Sequence, residues 1–73
     1  MKLYEVEFIN SIKRDRVLAR DPAEAARKVA AHRMHPVRRF YVRELPDRFQ
    51  VWGRSGLLFE FRLEEVGDAV DVG

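Results

Sequence analysis

The chain has 73 residues, of which 47% are hydrophobic and 36% charged, a balance that allows one modest core and points to a globular rather than a disordered chain. It contains no cysteine, so neither disulfides nor thiolate-bound metal can staple the fold. Fourteen basic residues against 12 acidic ones leave a formal charge of +2, a smaller excess than a dedicated duplex-DNA binder uses to neutralise phosphates.

The amino-terminal run Met1-Lys2-Leu3-Tyr4-Glu5 is charged at once and never becomes the apolar core of a signal peptide. No apolar run approaches the length of a membrane span. The expectation is a cytoplasmic protein without a membrane partner, in a bacterial cell or in a cell infected by a virus.

Residues 2–9 alternate Tyr4, Val6 and Phe8 with Glu5 and Glu7, the period of a half-buried strand. Asn10-Ser11 supplies turn chemistry. Residues 13–20 predict a second strand with Val17 and Ala19 facing in, joined to the first as an antiparallel hairpin. Glu5 and Glu7 then share the outer face with Arg14 and Arg16. Cross-strand pairs of this kind contribute roughly 0.2–1 kcal/mol each and help set register.

Asp21-Pro22-Ala23-Glu24 predicts a helix start: Asp21 as N-cap, Pro22 at the first helical position and Glu24 in a capping-box place. The helix runs to Met34, and Pro36 stops it. Its inward stripe is Ala25, Ala26, Val29, Ala30 and either Arg33 or Met34. Three strands follow, over 37–45, 48–53 and 57–65, with Pro46-Asp47 turning between the first two and Gly53-Arg54-Ser55-Gly56 between the last two. Residues 67–73 lack a pattern and are expected to form a flexible tail after a single domain over 1–66.

The expected fold is α+β: one helix packed on one face of a five-stranded, mostly antiparallel sheet in the order β-β-α-β-β-β. One helix covers one side of such a sheet and leaves the other bare. With Phe40, Val42, Phe49, Val51, Phe59 and Phe61 turned to the helix, the bare face carries Arg39, Tyr41, Arg43, Arg48, Gln50, Trp52, Leu58, Glu60 and Arg62. The phase of the third strand stays open, because Tyr41 and Leu45 compete with Phe40 and Val42 for the core. A second candidate surface is the helix side, where Arg27, Lys28, His32, Arg33, His35, Arg38 and Arg39 fall close together.

Trp, Tyr and Arg are the residues most enriched in interface hot spots. The same set can stack single-stranded bases while Arg grips phosphate. The bland alternative is that Trp52 packs on Leu58 and on Arg stems to shield a thin sheet. Glu44, Glu60 and Glu64 count against nucleic acid, because they repel phosphate. His32 and His35 stand three apart, but no carboxylate lies beside them to complete a metal site. No phosphate-binding glycine loop is present, and Ser11 and Ser55 sit in turns with no histidine beside them. No catalytic residue, cofactor or metal is expected.

The segment from Tyr4 to Val66 resembles a class of very small phage-encoded proteins. The features that carry the likeness are the amino-terminal hairpin, a strand ending Val17-Leu18-Ala19-Arg20, the helix from Asp21-Pro22-Ala23-Glu24 through Ala30, and three closing strands with an aromatic at Trp52. In order and length it is similar to anti-CRISPR proteins that inhibit type I surveillance complexes. The resemblance implies a non-enzymatic inhibitor that binds Cas subunits of an RNA-guided complex and obstructs recognition of target DNA. It carries no site residue over. Two other readings stand beside it: a small nucleic-acid-binding or regulatory domain that uses its Arg residues, and a homodimer that buries the bare face against a second copy.

Overall fold

A computed structural model describes residues 1–68 of the chain. The elements are β1 (Lys2–Phe8), β2 (Arg14–Ala19), α1 (Pro22–Met34), β3 (Tyr41–Glu44), β4 (Phe49–Gly53) and β5 (Gly56–Asp68). The strands form one sheet in the order β2-β1-β5-β4-β3, and every neighbouring pair is antiparallel. The α+β architecture expected from the sequence is therefore present.

Strand β5 holds the sheet together. It is 13 residues long and pairs with β4 along its first half and with β1 along its second. It extends to Asp68 because Lys2 and Leu3 pair with Asp68 and Gly67. Gly67 and Asp68 thus belong to the sheet and not to the expected tail. The rest of that tail, 69–73, lies outside the described residues. Two register shifts bend the strand, one beside Leu3/Tyr4 and one beside Val51/Trp52. At the second shift, Leu57 pairs with Trp52 and Leu58 is the extra residue. Strict alternation from Phe59 and Phe61 would put Leu57 on the helix side. The bulge sets it opposite the indole instead, and Leu58 lies over Gly53, where a Cβ would stand 2.8 Å from its side chain.

The helix start follows local chemistry. Asp21 Oδ1 accepts a hydrogen bond from the Glu24 N–H at 2.8 Å, and Glu24 Oε1 accepts one from the Arg20 N–H at 3.1 Å. Two donors that the helix itself cannot satisfy are thereby paired. Asp21→Ala is expected to lower stability by about 1 kcal/mol, read as a shifted urea midpoint at unchanged slope. An unchanged midpoint would show that the cap is dispensable.

Ala25, Ala26, Val29 and Ala30 are buried, as the stripe predicted. Their small side chains let α1 settle onto Val6, Phe8, Phe49, Val51 and Phe61. The choice between Arg33 and Met34 resolves to Met34 for packing, while Arg33 stays exposed with its guanidinium over two rings. Met34 packs at the edge of this core, and the Arg33 guanidinium lies 4.4 Å from the Phe8 ring centre and 5.1 Å from that of Phe59. A smaller cluster of Tyr4, Ala19 and Ala25 continues the core under the start of the helix.

The Tyr4 hydroxyl is buried with no hydrogen-bond partner among the described residues. Burial pushes its pKa above the ordinary phenol value. Removing a buried hydroxyl without a partner removes a desolvation cost. Tyr4→Phe is therefore expected to leave the melting temperature unchanged or to raise it. A fall of more than about 4 °C, the scale of a 1 kcal/mol loss in a domain this small, would show that the hydroxyl is satisfied in solution.

Strand β3 is shorter than the sequence reading of 37–45 suggested. Residues 37–40 lie outside the sheet, and the chain between Pro36 and Tyr41 runs irregularly. Its phase is also resolved. Val42 faces the core opposite Val51, while Tyr41 is 58% exposed and sits opposite Trp52.

Candidate binding face on the uncovered side of the sheet

Register fixes what the bare side carries. Along β1 and β2 it is Glu5 opposite Arg16 and Glu7 opposite Arg14. Along β5 and β4 it is Arg62, Glu60, Gln50 and Trp52, and along β3 it is Tyr41 and Arg43. The face divides into two halves of different chemistry.

The half over β2, β1 and β5 is a lattice of ion pairs. Arg14 reaches Glu5 at 3.2 Å and Glu7 at 3.7 Å, Arg16 reaches Glu5 at 3.8 Å, and Arg62 reaches Glu7 at 3.4 Å. The pairs of Arg14 and Arg16 are those that the alternation of Glu and Arg predicted, and the Arg62–Glu7 pair follows from the β1–β5 neighbourhood. Each is solvated and contributes little singly, and Glu64, in register with Glu5 on the same face, adds an exposed carboxylate with no ion pair among the described residues.

The other half, over β4 and β3, is aromatic. The rings of Tyr41 and Trp52 are parallel within 7°, with centres 6.4 Å apart. The indole N–H donates to Gln50 Oε1 at 3.1 Å, and Gln50 Nε2 donates to Glu60 at 2.7 Å. Arg48 completes the chain by donating to Glu60 at 3.3 Å and to Asp47 at 3.1 Å. The hydrogen bond from Arg48 holds the Asp47 carboxyl below the usual aspartate range, and the same bond raises the Arg48 pKa. The polar chain Trp52–Gln50–Glu60–Arg48 thus fixes the indole's rotamer before any partner arrives. Such preorganisation lowers the ordering cost of binding.

The sequence-predicted contact residues separate in this geometry. Arg48 is held by Asp47 and Glu60, and Arg62 by Glu7. Lys28 donates to the Leu18 carbonyl at 2.8 Å and stands 3.6 Å from Glu24, so it ties α1 to β2. These three serve the fold as it stands. Arg27, Arg38, Arg39, Arg43 and Arg54 are exposed and form no ion pair among the described residues. Tyr41 and Trp52 remain at the surface with Arg43 on the same strand face. Arg39 lies in the irregular segment before β3 and not on a strand, because β3 begins at Tyr41, four residues later than the predicted start at residue 37.

Two features escaped sequence reasoning. A groove of about 270 Å³ opens between α1 and β3, lined by Ala23, Ala26, Arg27, Phe40, Val42 and Phe49 among others. A second groove, bounded by Ala31, His35, Pro36, Val37 and Arg38, lies on the other side of Phe40. The alanines of the helix flank were the available signal, since small side chains leave room beside a short edge strand. Among the described residues no cluster of three or more His, Asp or Glu is placed to hold a metal ion, and no helix is long and apolar enough to cross a membrane. No protein-family model, curated protein or solved structure matches the chain.

Proposed function

We propose that this chain is a non-enzymatic protein-binding module whose contact surface is the aromatic half of the bare sheet face. The observation that carries the reading is the parallel Tyr41–Trp52 pair, locked by Gln50, on the side of the sheet that α1 leaves uncovered. Buried Tyr and Trp anchors ringed by Arg supply most of the energy in known interfaces. The resemblance to type I anti-CRISPR proteins supplies the first partner to try: Cas subunits of an RNA-guided surveillance complex, whose recognition of target DNA the bound chain obstructs.

Co-purification tests this directly. Immobilised chain is expected to retain a type I surveillance complex at about micromolar concentration, and the bound complex is expected to lose affinity for its DNA target. No retention of any such complex at that concentration contradicts the assignment of partner.

A second reading, single-stranded nucleic acid, draws on Arg43, on the same face as the stacked rings, and on Arg39 two residues before Tyr41, both without an ion pair among the described residues. It requires affinity for an oligonucleotide that falls steeply with salt and weakens in Arg39→Ala and Arg43→Ala. Absent or salt-independent binding removes it.

A further inference from the structure

The free edge of β3 carries its own recognition chemistry. Among the described residues the sheet ends at β3, so one row of its backbone groups has no neighbouring strand. The Leu45 N–H donates to the Arg48 carbonyl at 2.8 Å and closes the turn into β4. Antiparallel ladders alternate, and Arg43–Gln50 and Tyr41–Trp52 lie in register with that bond. Arg43 and Tyr41 therefore spend their backbone groups on β4, while those of Val42 and Glu44 point to the open edge.

The side chains of Val42 and Glu44 line the groove beside α1, together with Ala23, Ala26, Phe40 and Phe49. Open backbone groups and an apolar groove thus share one edge. The opposite edge of the sheet is guarded differently: β2 sets charged Asp15 on its core-facing side, opposite Val6. An inward-pointing charge of that kind blunts an edge against strand addition. On β3 the corresponding mid-strand position is Val42.

The charge around this edge is predominantly positive. Arg27 lines this groove, Arg38 lines the neighbouring one, Arg43 stands on the bare face of β3 and Arg39 two residues before the strand, and all four are unpaired among the described residues, against the carboxylate of Glu44 in the groove. A second copy of the chain docked edge to edge would face these arginines with its own. An acidic segment would neutralise them.

We propose that β3 accepts an extended acidic polypeptide by strand addition. Its backbone pairs with Val42 and Glu44, its alternate apolar side chains enter the groove under α1, and its carboxylates meet the surrounding guanidinium groups. Main-chain hydrogen bonds supply affinity in this mode, and the groove and charges supply selectivity. The proposal rests on the protein-binding reading and specifies the chemistry of the partner segment.

The test titrates the full ¹⁵N-labelled chain with a synthetic peptide of about ten residues that alternates valine and glutamate. A valine–lysine peptide and an alternately N-methylated copy of the first serve as comparisons. The acidic peptide is expected to bind, to shift the Val42 and Glu44 amides and to slow their exchange with solvent. The lysine and N-methylated peptides, and the variant pair Arg39→Glu with Arg43→Glu, are each expected to bind at least about tenfold more weakly. Val42→Pro removes an edge donor that β4 does not use and is expected to abolish binding in a chain that remains folded by circular dichroism. The N-methylated peptide makes the same point without altering the protein. No binding at about 1 mM, equal binding of the lysine peptide, or shifts confined to β2 would overturn the proposal. A partner captured through Trp52 by the Val42→Pro chain overturns strand addition alone. Peptide bound at β3 with no partner dependent on Trp52 overturns the open-face reading alone.

Discussion

Phe61→Ala is expected to leave most of the chain unfolded at room temperature. Phe61 is fully buried on β5, the strand on which the two halves of the sheet meet. Its ring centre lies 5.7 Å from that of Phe49 and 6.1 Å from those of Phe8 and Phe59, and all four side chains sit against α1. Truncating a buried Phe to Ala costs about 3–5 kcal/mol, because both the transfer energy and the contacts around the cavity are lost. A single core in a chain of this size rarely supplies more than about 3–5 kcal/mol in total. The loss therefore matches the whole margin. Phe61→Leu keeps most of the volume and is expected to fold with a lowered melting temperature. Thermal and urea melts by circular dichroism read both variants. A cooperative Phe61→Ala transition close to that of the parent would place the centre of the core elsewhere.

Trp52→Ala is expected to separate binding from folding. The indole lies on the uncovered side, and its contacts are the Tyr41 ring and the Gln50 side chain. Losing one exposed aromatic pair costs about 1 kcal/mol of stability. A hot-spot tryptophan carries at least about 2 kcal/mol of binding, which is roughly a 30-fold loss of affinity. Tyr41→Ala is expected to act in the same direction. Arg14→Ala, in the ion-pair lattice at the other end of the face, is expected to change affinity by less than about 0.5 kcal/mol. Calorimetric titration against the captured partner, alongside melts of each variant, gives both quantities. Equal losses for Trp52→Ala and Arg14→Ala would show that contact is not concentrated on the aromatic half.

Local chemistry made much of the fold legible in the sequence. Asp21-Pro22 set the helix start, Pro36 set its end, and the alanine stripe identified its buried face. Alternation placed Phe49, Val51, Phe59 and Phe61 under the helix and Trp52 on the other side, and it paired Glu5 and Glu7 with Arg14 and Arg16. Alternation says which side chains share a face, not which strands are neighbours. The β1–β5 pairing, which joins residues at opposite ends of the sequence, was for that reason invisible. The bulge at Leu57/Leu58 was hidden for a related reason, because an inserted residue leaves both flanking patterns intact.

The candidate site was legible in outline only. The sequence distinguished the aromatic and basic residues of the bare face but not which of its arginines are already engaged. Arg48 and Arg62 are held by carboxylates from other strands, contacts that depend on strand order. Helical spacing made Arg33 a candidate for the inward stripe, yet it stays exposed and lies over Phe8 and Phe59, rings that two different strands bring together. The groove beside β3 is a property of the short edge strand, and its boundary fell in the Val37–Phe40 stretch that the pattern had read as sheet.

Trp52 is the only tryptophan, so its fluorescence reports on the bare face without labelling. Quenching of the folded chain by iodide and by caesium, each scaled to free N-acetyltryptophanamide, measures both the indole's accessibility and the sign of the potential beside it. An accessible indole near Arg43 and Arg54 is expected to be quenched more strongly by iodide than by caesium at low salt, with the difference fading as ionic strength rises. An indole resistant to both ions, or one favouring caesium, would contradict an open, positively charged aromatic surface on this side of the sheet.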